Sequence, residues 1–166
     1  MLRMEFKKCL EVGHLYETKS LYILKNHKFK NITIDYKYNP YYDITAYKKK
    51  KKVYIEVKYN SLTDKTQKIF LECCKTNLNA SGLSITQSHY YIFHSNTQYW
   101  ICKTHKIKKL LNKVIRNRLE KTTNNITNEK ICSYIEYYGI RTKNTIGILL
   151  EVEDIETICI YKGSNI

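Results

Sequence analysis

The stretch DITAYKKKKKVYIEVK, residues 43–58, decides how the chain is read. Two strand-like runs, Tyr41 to Tyr47 and Val53 to Tyr59, flank five consecutive lysines. In the second run Val53, Ile55 and Val57 alternate with Tyr54, Glu56 and Lys58, so the two sets occupy opposite faces of a strand. A two-residue loop at Lys49-Lys50 makes this a hairpin and sets Asp43 opposite Glu56 on one face, with Cβ atoms about 4.5–5.5 Å apart. Neither lysine favours the left-handed turn that such a loop uses, so a longer turn is the alternative register. Like charges opposed across a sheet repel. A divalent cation between them removes that penalty, and hard Mg²⁺ prefers carboxylate oxygen and water. Lys58 projects from the same face, where its charge can stabilise an attacking hydroxide or a cleaved phosphate. Together the three groups describe metal-assisted phosphodiester hydrolysis. A surface ladder in which Lys58 neutralises two acids is the competing reading.

Outward from this hairpin the chain is helix, strands, helix, strands. Leu10, His14, Glu17, Leu21 and Leu24 share one face of a helix expected over about Glu11 to Lys25. Ile32 to Tyr36 and Ile69 to Cys74 read as strands, and Tyr90–Phe93 and Tyr99–Cys102 as a strand pair. Thr104 is a candidate cap for a helix whose apolar stripe is Ile107, Leu110, Leu111, Val114, Ile115 and Leu119. Thr122 to Asn128 reads as a polar linker, and Thr145–Leu150 and Ile155–Tyr161 read as strands. The order predicts an α/β or α+β sheet covered by helices in one domain, 1–166, with a helix and strand extension from about 104.

The 29 Lys and Arg against 15 acids, a net charge of +14, favour a polyanionic partner. AT-rich codon bias, which over-uses Lys, Asn, Ile and Tyr, is the bland alternative. The 16 tyrosines could stack on bases, though most are expected in the core. Lys48, Lys49, Lys50, Lys51 and Lys52 are either a solvated hairpin tip or a grip on phosphates. Gln87 is a candidate substrate contact or an exposed turn residue. No apolar run approaches the roughly 20 residues of a membrane span, and the first residues lack the apolar stretch of a signal peptide. Cys9, Cys73, Cys74, Cys102, Cys132 and Cys159 form no CxxC pair, so no zinc site and free thiols in the cytoplasm are expected. His14, His27, His89, His94 and His105 show no metal-binding spacing, and there is no phosphate-binding glycine loop.

The Asp43…Glu56-Val57-Lys58 pattern resembles the PD-(D/E)xK nuclease superfamily, in particular its small phage-type or resolvase-like members. Gly13–Glu17 resembles that superfamily's first helix, and Ile69–Glu72 its next strand. Ser81–Thr86 followed by His89–Phe93 resembles a later conserved-looking segment, so the likeness covers residues 10–105. Tyr42 precedes Asp43 in place of proline, and His89 stands where many members carry alanine. The resemblance implies a restriction-endonuclease-like α/β core, a mixed central sheet flanked by helices. It further implies Mg²⁺ or Mn²⁺ held by Asp43, Glu56 and the Val57 carbonyl, with Lys58 orienting or activating water and Glu17 as a secondary ligand or base. The implied activity is endonucleolytic cleavage of DNA, branched or structured DNA included, with a homodimer as an option and a phage or viral origin in keeping. A non-catalytic nucleic-acid-binding protein of the same fold and an RNA nuclease are the alternatives. Glu72 is equally well read as a surface carboxylate.

Overall fold

A computed structural model of the chain describes residues 2–35, 39–75, 81–120, 139–142 and 145–165, without the side chains of 2–9, 119, 120 and 141. The fold is α/β. Six strands form a mixed central sheet in the order β1-β2-β3-β5-β6-β9. They span Lys30–Ile34 (β1), Ile44–Lys48 (β2), Lys51–Tyr59 (β3), Tyr90–His94 (β5), Gln98–Lys103 (β6) and Cys159–Ser164 (β9). A separate three-stranded antiparallel sheet, in the order β4-β8-β7, is formed by Lys68–Lys75, Thr145–Glu151 and Ile140–Arg141. Within the central sheet only the β3–β5 pair is parallel. The crossover it requires carries the chain through the short helix α2, Thr63–Thr66, and out to β4.

The hairpin has the two-residue loop. β2 and β3 pair from Ile44↔Ile55 to Lys48↔Lys51, leaving Lys49 and Lys50 at φ 50° and 65°. Both lie in the left-handed region, the geometry whose twist matches the flanking strands but which normally selects Asn-Gly. The strand pairing holds two lysines there at a cost of about 1–2 kcal/mol each. β2 starts at Ile44 and not at Tyr41 because the preceding residues are engaged elsewhere: the Tyr41 N–H donates to Asn39 Oδ1 at 3.0 Å in a local turn.

The alternation in β3 separates two cores. Val53 and Ile55 face helix α1, Leu2–Asn26, and bury Ile23 and Leu24 together with Ile44, Ala46, Ile92 and Ile101. The opposite face carries Tyr91, Phe93, Trp100 and Cys102 against Ile69, Leu71, Ile148 and Leu150 of the second sheet. Helix α3, Thr104–Glu120, adds Ile107, Leu111 and Ile115 to that core.

Helix α1 begins well before Glu11, since residues 2–10 contain no helix breaker. Its buried stripe is Tyr16, Ser20, Ile23 and Leu24, and Leu10 is exposed, so the apolar face is rotated from the expected one. The helix ends in a Schellman arrangement: Phe29 N–H donates to the Leu24 carbonyl at 3.0 Å and Lys28 N–H to Lys25 at 3.0 Å. Lys28 takes the left-handed position at φ 64°.

The expected strand Ile155–Tyr161 is divided: Val152–Ile158 is a helix, α4, and β9 begins at Cys159. Val152 and Ile155 are buried at a helical spacing of three, and Glu153 and Asp154 favour the positive helix start. Residues beyond 104 are woven into the fold, with β9 closing one edge of the central sheet and β8 the middle of the second. The Thr104 hydroxyl lies 3.3 Å from Ser88 Oγ instead of capping its own helix. Tyr36, the linker Thr122–Asn128 and Cys132 lie outside the described residues. Cys73, Cys74, Cys102 and Cys159 are free thiols, the first and third buried.

Candidate active site

Glu56 sits mid-sheet on β3 and is 7% exposed. Its Oε1 accepts from Lys58 Nζ at 2.8 Å, two residues along the same strand face. Asp43 stands one residue before β2. Its N–H donates to the Ile55 carbonyl at 3.0 Å, and its Oδ2 accepts the Val57 N–H at 2.7 Å. The N–H and C=O of one strand residue point to the same edge, so the Val57 carbonyl also faces the Asp43 side. The hairpin thus brings Asp43, Glu56, Lys58 and the Val57 carbonyl into one place.

The electrostatics of this cluster are unusual for a strand pair. Burial, then the charge of Glu56, pushes the Asp43 carboxyl from its ordinary range up to about 7, and Glu17 adds to the push. Lys58 and the Val57 N–H oppose it without cancelling it. Burial works against the Lys58 ammonium, but Glu56, Asp43 and Glu72 outweigh that and hold it protonated beyond the ordinary lysine range. Three carboxylates, Glu56, Asp43 and Glu72, therefore act on one lysine, an excess of negative charge that favours a cation.

Glu17 reaches this neighbourhood from α1 and is held by His14, whose Nδ1 lies 3.0 Å from Glu17 Oε2. Glu72 arrives from β4 and accepts from Ser81 Oγ at 2.6 Å. Gly82, at φ 52°, packs so tightly that an added Cβ would lie 2.6 Å from the Glu72 carbonyl oxygen. Only glycine allows this turn to seat beneath Glu72. Glu72 is thus a held member of the cluster.

Tyr91 is a residue the sequence reading missed. The parallel register sets it beside Glu56 on β5. It is fully buried, and its hydroxyl is without a hydrogen-bond partner among the described residues. Burial and the Glu56 charge hold its proton on, against the pull of Lys58. The run Tyr90-Tyr91 signals a strand, but only the β3–β5 register shows which tyrosine faces Glu56.

A divalent cation fits this donor set. Mg²⁺ is typically held by one or two carboxylates, keeps several waters and completes its shell with substrate phosphate. Asp43, Glu56 and the Val57 carbonyl are the oxygen donors here that could offer such a partial shell, with one oxygen of Asp43 engaged by the Val57 N–H and one of Glu56 by Lys58. Among the described residues no group of three or more His, Cys, Asp or Glu is placed to hold a metal ion by itself.

The lysine run divides by role. Lys48 is enclosed by rings, its Nζ 4.0 Å from the centre of Phe29 and 4.5 Å from that of Tyr161, and it donates to Tyr161 Oη at 3.2 Å. That cage ties down the hairpin. Lys49, Lys50, Lys51 and Lys52 are exposed. Gln87 is exposed too, and its N–H donates to the Tyr41 carbonyl at 3.2 Å, which ties its loop to the approach to Asp43.

Among the described residues no helix is long and apolar enough to cross a membrane. No family model, no curated protein and no solved structure matches the chain.

Proposed function

We propose that the protein is a Mg²⁺- or Mn²⁺-dependent endonuclease of the PD-(D/E)xK kind, with a restriction-endonuclease-like core, hydrolysing phosphodiester bonds of DNA. The observation that carries the reading is the closeness of Asp43 to Glu56 and Lys58 of β3, where burial first and the Glu56 charge second raise the Asp43 carboxyl to about 7. A bound divalent ion would polarise the phosphate and lower the pKa of a water. Asp43 and Glu56 would hold that ion, and the Val57 carbonyl would add a ligand. Lys58, paired with Glu56 at 2.8 Å, would orient the attacking water and stabilise charge on the phosphate. Glu17 is a secondary ligand or base. Hydrolysis forms a P–O bond to water and breaks the bridging P–O bond. The water's proton passes to a base and the leaving oxygen takes one up.

Free buried thiols favour a reducing compartment, so action in the cytoplasm, a host's if the chain is viral, accompanies this reading. Resolution of a branch requires two such sites, so a homodimer is expected on junction DNA. The 2.8 Å Glu56–Lys58 ion pair also favours a second reading, a nucleic-acid-binding domain whose acids are neutralised from within. Digestion of plasmid and branched DNA with Mg²⁺, Mn²⁺ or EDTA, beside Glu56→Ala and Lys58→Ala, separates the two. Metal-dependent cleavage lost in both variants supports the nuclease; binding without cleavage in every metal overturns it.

A further inference from the structure

A cleft of about 830 Å³ opens at the hairpin end of the central sheet. Lys49, Lys51, Lys103, Lys108, His89 and His105 line it, and among the described residues no acidic side chain does. The 17-residue helix α3 starts at its wall with no acid in the first turn, so the positive helix end adds to the field. Such a concentration of cationic groups in one concavity fits a polyphosphate backbone.

A second observation links the cleft to Asp43 and Glu56. Tyr42 and Tyr54 stack with ring centres 4.3 Å apart, and His89 tilts against Tyr54 at 5.5 Å. Tyr54 lies two residues before Glu56 on the same strand face, and Lys52 Nζ sits 5.4 Å from its ring centre. The Tyr54 N–H donates to His89 Nδ1 at 3.1 Å. The proton of a neutral His89 ring is then on Nε2, a donor directed away from the strand. Val53, Tyr90 and Lys103 set the cleft on the face of the sheet opposite Tyr54 and Glu56, and His89, which lines the cleft and tilts against Tyr54, joins the two faces round the end of β3. From Glu56 to Lys51 the strand runs roughly 17 Å at about 3.3 Å per residue.

We propose that this path holds an unpaired nucleic-acid strand continuing from the phosphodiester cut at Asp43 and Glu56. It rests on the nuclease reading for that end of the path. Stacking on a tyrosine face requires a base freed from its own stack, which a duplex does not offer. The cleft is of the size that encloses a small ligand, too small for a double helix.

The test is fluorescence anisotropy in EDTA, where binding is read without cleavage. The probes are a labelled oligothymidylate of roughly 12 nucleotides, the matching oligouridylate and a duplex of the same length. Lys103 and Lys108 are both exposed. Lys103→Ala/Lys108→Ala is expected to weaken single-strand binding about tenfold or more and to lower the log–log salt slope by about 1.4. Tyr54→Ala is expected to weaken it about fivefold or more, with Tyr54→Phe restoring it. The two single strands tell DNA from RNA. Tighter binding of the duplex, or single-strand binding unchanged in the double lysine variant, overturns the proposal. Single-strand binding that depends on Lys103 and Lys108, in a protein that cleaves nothing with Mg²⁺ or Mn²⁺, supports the cleft and overturns only the nuclease reading.

Discussion

Two buried polar clusters lie on neighbouring strands, on opposite faces of the sheet, and they are built oppositely. At His94, fully buried at the end of β5, Nδ1 donates to Asn165 Oδ1 at 2.8 Å and Nε2 lies 2.8 Å from Ser20 Oγ. Asn165 Nδ2 in turn donates to the Ser95 and Gln98 carbonyls at 2.7 and 2.9 Å. Each group there meets a neutral partner, and the cluster binds helix α1 to the sheet and to the chain's last strand. At Glu56 the partners are charged and outnumbered, one lysine facing Glu56, Asp43 and Glu72, with the Tyr91 hydroxyl, which has no close hydrogen-bond partner among the described residues, beside Glu56. A satisfied neutral network belongs to the fold, whereas an excess of like charge calls for a ligand that removes it.

The largest effect expected of this contrast is on cleavage. Glu56→Ala and Lys58→Ala should each lower the rate by about 10²–10³-fold, while His94→Gln, which leaves the charged cluster alone, should change it far less. Initial rates on supercoiled plasmid in Mg²⁺ make the comparison. An equal loss in all three would mean that the charged cluster has no special part.

The next effect is on stability against pH. Burial, opposed by the Asn165 hydrogen bond and aided by Lys19, lowers His94 from 6.5 to about 4. The unfolded chain takes up a proton in this window and the folded one does not, so stability falls as the pH drops from 6.5 towards 4. The upper bound on this contribution is about 3 kcal/mol. Urea unfolding at pH 7 and pH 4.5 reads it. Because other groups also titrate, the decisive quantity is the difference from His94→Gln, whose pH slope should be flatter.

A smaller effect follows from adding cation. Mg²⁺ at ten times its Kd should stabilise the wild type by about 1.4 kcal/mol, raising Tm by roughly 3–6 °C for a chain of this size. Asp43→Asn should remove most of the rise; a full response in that variant would place the ion elsewhere. The smallest effect concerns the hairpin that assembles the charged cluster. Replacing Lys49-Lys50 by Asn-Gly suits the left-handed turn and should add roughly 1 kcal/mol, measured by thermal unfolding. Destabilisation would contradict the two-residue loop.

The hairpin was legible in residues 43–58 because turn, alternation and strand pairing are all local there; the direct Asp43–Glu56 cross-strand pair was not, since the pairing ends at Ile44↔Ile55 and Asp43 bonds to the Ile55 carbonyl and the Val57 N–H. The same holds for the stripe of α3, where Ile107, Leu111 and Ile115 are buried as their spacing requires. Local reading failed at Ile155, whose apolar neighbours fit a short helix as well as a strand. It also failed to separate Lys48 from its four neighbours, since the rings around it come from Phe29 and Tyr161.

What the sequence by itself determined, then, is the β2–β3 register, which brings Asp43, one residue before β2, near Glu56 and Lys58. Tertiary structure alone decided that Glu17, Glu72 and Tyr91 join them, that Lys48 is caged, and that a basic cleft opens beside Tyr54. Those partners come from α1, β4, β5 and β9, far apart in the chain. Their meeting depends on the parallel β3–β5 register and the packing of a second sheet, which local periodicity does not encode because the side chains acquire neighbours only when distant strands pair.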